Sequence, residues 1–142
     1  MILTVADPMT ESEVQRYNGL QLAYIGDTVW EMLVRCRMME LRLKVHHMHS
    51  ECVAEVNAHA QAEHLRQILP SLRENEAEIV RRGRNAHARH PAPKNQDPDD
   101  YAAATGFEAL LGYLFLTGQS GRIQELMEQL MDQKGEREQT DG

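Results

Sequence analysis

Leu22-Ala23-Tyr24-Ile25-Gly26-Asp27-Thr28-Val29-Trp30-Glu31 is the stretch on which the fold turns. Leu22, Ile25, Val29 and Leu33 recur at helical spacing, so the segment reads as an amphipathic helix. Asp27 interrupts it, sharing a face with Ala23, Tyr24 and Glu31 at offsets of three and four. An acid within an apolar helix is costly unless it is paired, hydrogen-bonded or bound to a metal. Taken alone, the ordinary reading of Asp27 is a partly exposed acid that pairs with an arginine. A partner site elsewhere has to decide.

Outward from this stretch, the helix is expected to start at Asn18, whose side chain can cap it, and to run to about Leu41. A second helix is predicted over His46 to Leu69, stopped by Pro70. A third runs from Ser71 or Leu72 to Arg82, with Ser71 and Glu74 as a capping box and Gly83 as its end. Arg84 to Pro98 holds Pro91, Pro93 and Pro98 and reads as the one long irregular segment. A fourth helix is expected over Asp99 to Thr117, closed by Gly118, and a last one over Gln119 to Gln133. No segment shows strand alternation, which predicts an all-helical fold of about five main helices. Residues 1–17 read as an arm and short lead-in, and 135–142, charged and without an apolar residue, as a disordered tail.

The 142 residues carry a formal net charge of -7 and correspond to one domain. Such a charge argues against binding nucleic acid through bulk attraction, but its distribution is uneven. Arg81, Arg82, Arg84, Arg89 and Lys94 fall within a stretch free of acids, together with His87 and His90. A local basic patch on an acidic protein suits an anionic partner that is positioned rather than merely attracted. The N-terminal segment has neither the basic start nor the apolar run of a signal peptide, and no apolar run reaches membrane-spanning length. A cytosolic location is expected. Cys36 and Cys52 read as reduced structural thiols.

The second acid of interest is Glu108, in Thr105-Gly106-Phe107-Glu108-Ala109-Leu110-Leu111-Gly112-Tyr113. Asp27 and Glu108 converge if their helices pack side by side, and Gly26 and Gly112 would help the backbones approach. Two carboxylates brought together repel unless a cation or a proton lies between them. Oxygen ligands and a partly hydrated site suit magnesium or manganese. By themselves, these acids could equally bond to Tyr24, Tyr101 or an arginine. Arg81-Arg82-Gly83-Arg84-Asn85 and Pro93-Lys94-Asn95 shift the weighing, because arginine grips phosphate bidentately and asparagine bonds to sugar or phosphate. A divalent metal beside a phosphate-binding loop is the arrangement that phosphodiester hydrolysis requires. The competing reading of the basic run is a solvated helix end, with Arg81 the residue most readily assigned to structure.

Taken together, these motifs resemble the ribonuclease III catalytic domain, and in particular its short bacterial Mini-ribonuclease III branch. Leu22 to Asp27 looks like the branch's signature helix, Val80 to Ala86 like its basic motif and Pro93-Lys94-Asn95 like its following loop. Ala104 to Leu114 looks like its second signature helix. The similarity covers roughly Asn18 to Leu130, nearly the whole chain, and makes 18–134 the catalytic domain. It implies a magnesium-dependent endoribonuclease, with manganese as a possible substitute, cutting double-stranded RNA as a homodimer to leave 5'-phosphate and 3'-hydroxyl ends. Precursor 23S ribosomal RNA is the substrate the branch suggests, and a separate double-stranded-RNA-binding domain is not expected. Asp27 and Glu108 match the family's catalytic, metal-linked acids. Arg82, Arg84, Asn85, Lys94, Asn95 and His49 are the expected RNA contacts. His59 stands where a lysine is common and reads as an ordinary surface histidine.

Two positions depart from the wider family: Ala23 and Thr105 stand where full-length enzymes carry a glutamate and an aspartate. Fewer protein ligands and more metal-bound water are therefore expected. The alternative is a catalytically silent double-stranded-RNA-binding helical dimer associated with ribosome assembly. A purely structural helical dimer is a third possibility, but it leaves Lys94, Asn95 and the arginines without a role. Dimerisation is expected from apolar residues on more than one face of the signature helix, Leu22, Ile25, Val29, Trp30 and Leu33.

Overall fold

The computed structural model describes residues 4–86 and 92–140, with 131–140 described by backbone alone. Among these residues there are helices and no strands, as expected. A short α1 (Glu11–Val14) leads into α2 (Gly19–Glu40), followed by α3 (Val45–Val56) and α4 (Ala58–Ile68). A 3₁₀ turn at Leu69–Ser71 precedes α5 (Glu74–Asn85), α6 (Pro98–Leu116) and α7 (Ser120–Thr140).

The central element is α6 rather than α2. Every residue from Ala103 to Leu114 is buried except Glu108, and α2, α4 and α5 all pack around this helix. Phe107, Leu110, Leu111 and Leu114 fill the middle of the core with Leu22, Trp30, Leu65 and Ile79. Trp30 sets its ring edge-on to Phe107 at a centroid distance of 5.0 Å and donates Nε1–H to the Glu55 carbonyl at 2.9 Å. That bond gives the one polar atom of a buried indole its partner. Beneath this layer, the buried Glu76 carboxylate accepts from Arg122 at 2.9 Å and from the Arg73 backbone N–H at 2.8 Å, joining α5 to α7. The arginine and the backbone bond hold the Glu76 carboxyl below its ordinary pKa, against the upward push of burial.

Local chemistry accounts for the boundaries. Asn18 caps α2 by accepting from the Gln21 N–H at 2.9 Å, while the Gln21 side chain returns a bond to the Asn18 backbone. The expected single helix over His46 to Leu69 is two, because Asn57 is extended and caps α4 through Ala60 N–H. Its amide also donates to the carbonyls of Val53 and Ala54 at the end of α3. One asparagine thus serves both free helix ends. The cap of α5 is Arg73 with Glu76, not Ser71 with Glu74; Ser71 instead donates to the Ile68 carbonyl within the 3₁₀ turn. Helix α7 continues past Gln133 to Thr140, in keeping with its Glu, Arg and Gln content.

Gly83 does not end α5. It lies inside the helix where α5 crosses α6: a Cβ at Gly83 would fall 2.8 Å from the Gly106 Cα, too close for any side chain. The crossing of α2 and α6 is tighter still. A Cβ at Gly26 would sit 1.6 Å from the Glu108 carbonyl oxygen, and one at Gly112 2.0 Å from that of Leu22. Residues 22–26 therefore run antiparallel to 112–108 at backbone contact, which puts the next turn of α2 beside Glu108.

Candidate active site

Asp27 and Glu108 meet at this crossing. Glu108 is the only half-buried position in the buried length of α6, and its carboxyl donates its proton to the Asp27 carboxylate. Desolvation, followed by the negative charge of Asp27 and this hydrogen bond, raises the Glu108 pKa from 4.5 to about 8. Asp27 is exposed, as in its ordinary reading, but its partner is the Glu108 carboxyl rather than an arginine. Asp27 reaches the pair from the solvent side and Glu108 from the core.

Two carboxylates sharing a proton at the edge of water form a fitting seat for a hard divalent cation, which would replace the proton between them. The described residues offer little else as ligands. No third histidine, cysteine, aspartate or glutamate gathers with the pair, and Ala23 is a buried methyl. Thr105 is buried against α5, and its hydroxyl donates to the Tyr101 carbonyl at 2.9 Å. A cation here would keep most of its own water.

A groove of about 540 Å³ opens beside Glu108, between the start of α4, the first half of α6 and the turn at residues 94–96. Asn95 lines it with Glu108, so the structure brings these two expected residues together. Lys94 is exposed on the same turn, which the Gln96 N–H closes onto the Pro93 carbonyl at 3.1 Å. Arg84 and Asn85 are exposed at the end of α5, and the Arg84 stem lies across Gly106.

Two expected RNA contacts lie in other settings. Arg82 donates to Gln15 at 2.9 Å and to the Tyr17 carbonyl, tying the N-terminal arm to α5. Arg81 pairs with Glu78 on the helix surface. His49 lines a separate, mostly apolar cleft between α2 and α3 with Met38, Met48 and Cys52. Arg89, His87 and His90 lie outside the described residues. The groove walls also hold Tyr101 and two residues that the sequence does not single out, Gln61 and Asp100. The acids of Asp97-Pro98-Asp99-Asp100 carry a helix-start signal, which masks any further role.

The Ribonuclease III domain family model matches residues 20–119 of the chain. The chain belongs to the Mini-ribonuclease 3 branch of the ribonuclease III family. It is 47% identical over 114 residues to a Mini-ribonuclease 3 of Symbiobacterium thermophilum, covering 80% of this chain and 87% of that protein. It is 43% identical over 129 residues to a Mini-ribonuclease 3 of Desulfitobacterium hafniense, covering 90% and 81%. The fold matches a crystal structure of a Fusobacterium nucleatum protein with a TM-score of 0.77 at 24% identity, covering 86% of this chain and 98% of that one. Family membership places the chain among endoribonucleases. Among the described residues, no helix is long and apolar enough to cross a membrane.

Proposed function

We propose that this chain is a divalent-metal-dependent endoribonuclease that hydrolyses double-stranded RNA, with Asp27 and Glu108 as its catalytic, metal-holding acids. The observation that carries this reading is the contact of the two carboxyl groups across the α2–α6 crossing. When bound, magnesium or manganese would supply positive charge to the phosphoryl oxygens and a more acidic water. Glu108 fixes the core side of the seat, because the glycine contact between the helices leaves its backbone no room to shift. Asp27 supplies the solvent-facing side, where a phosphodiester can approach. Arg84, Asn85, Lys94 and Asn95 flank the seat on exposed backbone and are assigned to the RNA path. Arg82 is assigned to holding the arm, and His49, in its separate cleft, is not given a place in the path.

A homodimer completes the proposal, since one active site per copy would cut each strand of a duplex. Leu22, Val29 and Trp30 are all used by the core of one copy, so they do not argue for a partner. Support comes instead from Tyr24, 80% exposed, which with Tyr17, Leu20 and Ile25 lines an apolar groove of about 450 Å³ on the outer face of α2. Hydrolysis would leave 5'-phosphate and 3'-hydroxyl ends, and precursor 23S ribosomal RNA is the proposed substrate in the cytoplasm.

The test has two arms. Duplex-RNA affinity is measured against salt in calcium for the parent, Lys94→Ala and Arg84→Ala, and precursor 23S stems are incubated in magnesium with their ends mapped. The expected result is a log–log salt slope that falls by about one for each phosphate contact removed, together with discrete cuts in the stems. Unchanged slopes in both variants would move the RNA path elsewhere. Duplex binding without cleavage would favour a silent binding dimer.

A further inference from the structure

The groove beside Glu108 has a chemistry unlike that of the basic residues around it. Three carboxylates border it, those of Asp97, Asp100 and Glu108, and neither arginine nor lysine lines it. A phosphate entering it would meet negative charge. Its neutral polar groups are amides, from Asn95 and Gln61 among others, and the phenol of Tyr101, and its one basic side chain is the imidazole of His59. Such walls suit an uncharged partner rich in hydrogen-bonding groups.

Two further observations indicate that the groove is prepared for such a partner. His59 Nδ1 lies 3.0 Å from Asp100 Oδ2, a contact joining α4 to α6 across the groove. The carboxylate can only accept, so Nδ1 carries the hydrogen of this contact, which orients the ring and leaves Nε2 to bond a ligand. The His59 side chain is 75% exposed, and an ion pair so open to water contributes little to folding. Gln61 is the second observation. Its side chain is 2% exposed on the groove wall, and its Nε2 has no hydrogen-bond partner among the described residues. A buried donor without an acceptor is uncommon and calls for a ligand or a role.

We infer that this groove reads the uncharged face of a nucleotide next to the cut bond, with His59, oriented by Asp100, and Gln61 contacting its ribose 2'-hydroxyl and base edge. A 2'-hydroxyl both donates and accepts, so it can bond to His59 Nε2 while its oxygen faces Gln61 Nε2–H. That hydroxyl is also the group that separates RNA from DNA at a given position. The inference deepens the proposed function and rests on it: Arg84 and Lys94 hold phosphates, while the acidic groove selects ribose. His59 is then a specificity-determining residue rather than an ordinary surface histidine.

The test uses full-length protein and duplex RNAs carrying a single 2'-deoxy substitution at each nucleotide flanking the mapped cut. Single-turnover kcat/KM in magnesium and affinity in calcium are measured for the parent, His59→Ala, Asp100→Asn and Gln61→Met. One deoxy position is expected to slow the parent about tenfold. His59→Ala should slow the all-ribose substrate by a similar factor and lose sensitivity to that position, with its salt slope unchanged. Asp100→Asn, which keeps a weaker hydrogen bond to the ring, should lie between the two. Gln61→Met, which keeps the side-chain volume, should show the same loss of sensitivity if His59→Ala is poorly folded. The full deoxy penalty surviving in both His59→Ala and Gln61→Met would overturn the inference, as would a salt slope flattened by one in His59→Ala, the mark of a phosphate contact. A parent that cuts duplex RNA while the variants keep the penalty overturns this inference alone. A parent that neither binds nor cuts duplex RNA overturns the functional proposal and this inference with it.

Discussion

Replacing Glu108 with glutamine should make the metal-free protein more stable at high pH, a counterintuitive result for removing a proposed catalytic acid. In the folded chain Glu108 keeps its proton up to a pKa of about 8, against 4.5 for the free side chain. Between these values the folded state binds one proton more than the unfolded state, so stability falls as pH rises. The slope is about 1.4 kcal/mol per pH unit. From pH 5 to pH 8 the loss would reach about 4 kcal/mol if the site were rigid. Asp27 is exposed and can swing into water, which relieves part of the repulsion and brings the expected loss to about 2–4 kcal/mol. Glutamine keeps an N–H donor to Asp27 and has nothing to ionise, so Glu108→Gln should lack this loss. The assay is urea unfolding in a chelator at pH 5, 6.5 and 8. Near-equal stabilities at pH 5, diverging in favour of the variant by pH 8, are expected. Magnesium should reverse the order at pH 8 by stabilising only the parent, with an affinity that rises with pH as the shared proton is displaced. Parallel stability curves for the parent and Glu108→Gln would refute the idea that the two carboxylates share a proton.

Gly26→Ala should destabilise the chain by about 3 kcal/mol or more, because the new methyl would overlap the rigid Glu108 carbonyl; chemical denaturation checks this, and a change under about 1 kcal/mol would count against the close crossing. Arg82→Ala should loosen the N-terminal arm, seen as faster proteolysis before Gly19, and leave the salt slope of RNA binding unchanged. Tyr24→Arg should convert the proposed dimer into a monomer in sedimentation at micromolar concentration while leaving helix content intact; a parent that is monomeric and fully active would remove the need for a dimer.

Much of this architecture is legible in the residues because local and global preferences agree. Asn18 with Gln21 marks the start of α2 and behaves as read. Gly118, at φ +74, closes α6 where a side chain would be strained. Gly26 and Gly112 signal backbone contact, and both are at backbone contact. The misreadings come from residues with two available roles. Asn57 sits in a helix-like pattern, but its side chain satisfies two helix ends at once, and only the geometry shows that. Gly83 reads as a stop, whereas the demand for space against Gly106 outweighs its low helix propensity. Arg82 and Arg81 are neighbours in a basic run, and nothing in their spacing tells which one faces Gln15 and Tyr17. The exposure of Asp27 agrees with its ordinary reading, whereas its partner, Glu108 rather than an arginine, lies on another helix that spacing within α2 does not identify. The groove around His59 combines α4, α6 and the 94–96 turn, and no contiguous motif spells that out.

Asp27 and Glu108 are proposed to act together in metal-supported cleavage of duplex RNA. The most direct measurement is cleavage of an end-labelled RNA duplex in magnesium by the parent and by Asp27→Asn, with both shown to be folded and to bind the duplex in calcium. The parent should cut at discrete positions, and Asp27→Asn should bind the duplex yet release no more product than the enzyme-free control. Cleavage by Asp27→Asn at the parent's rate and positions would contradict the account.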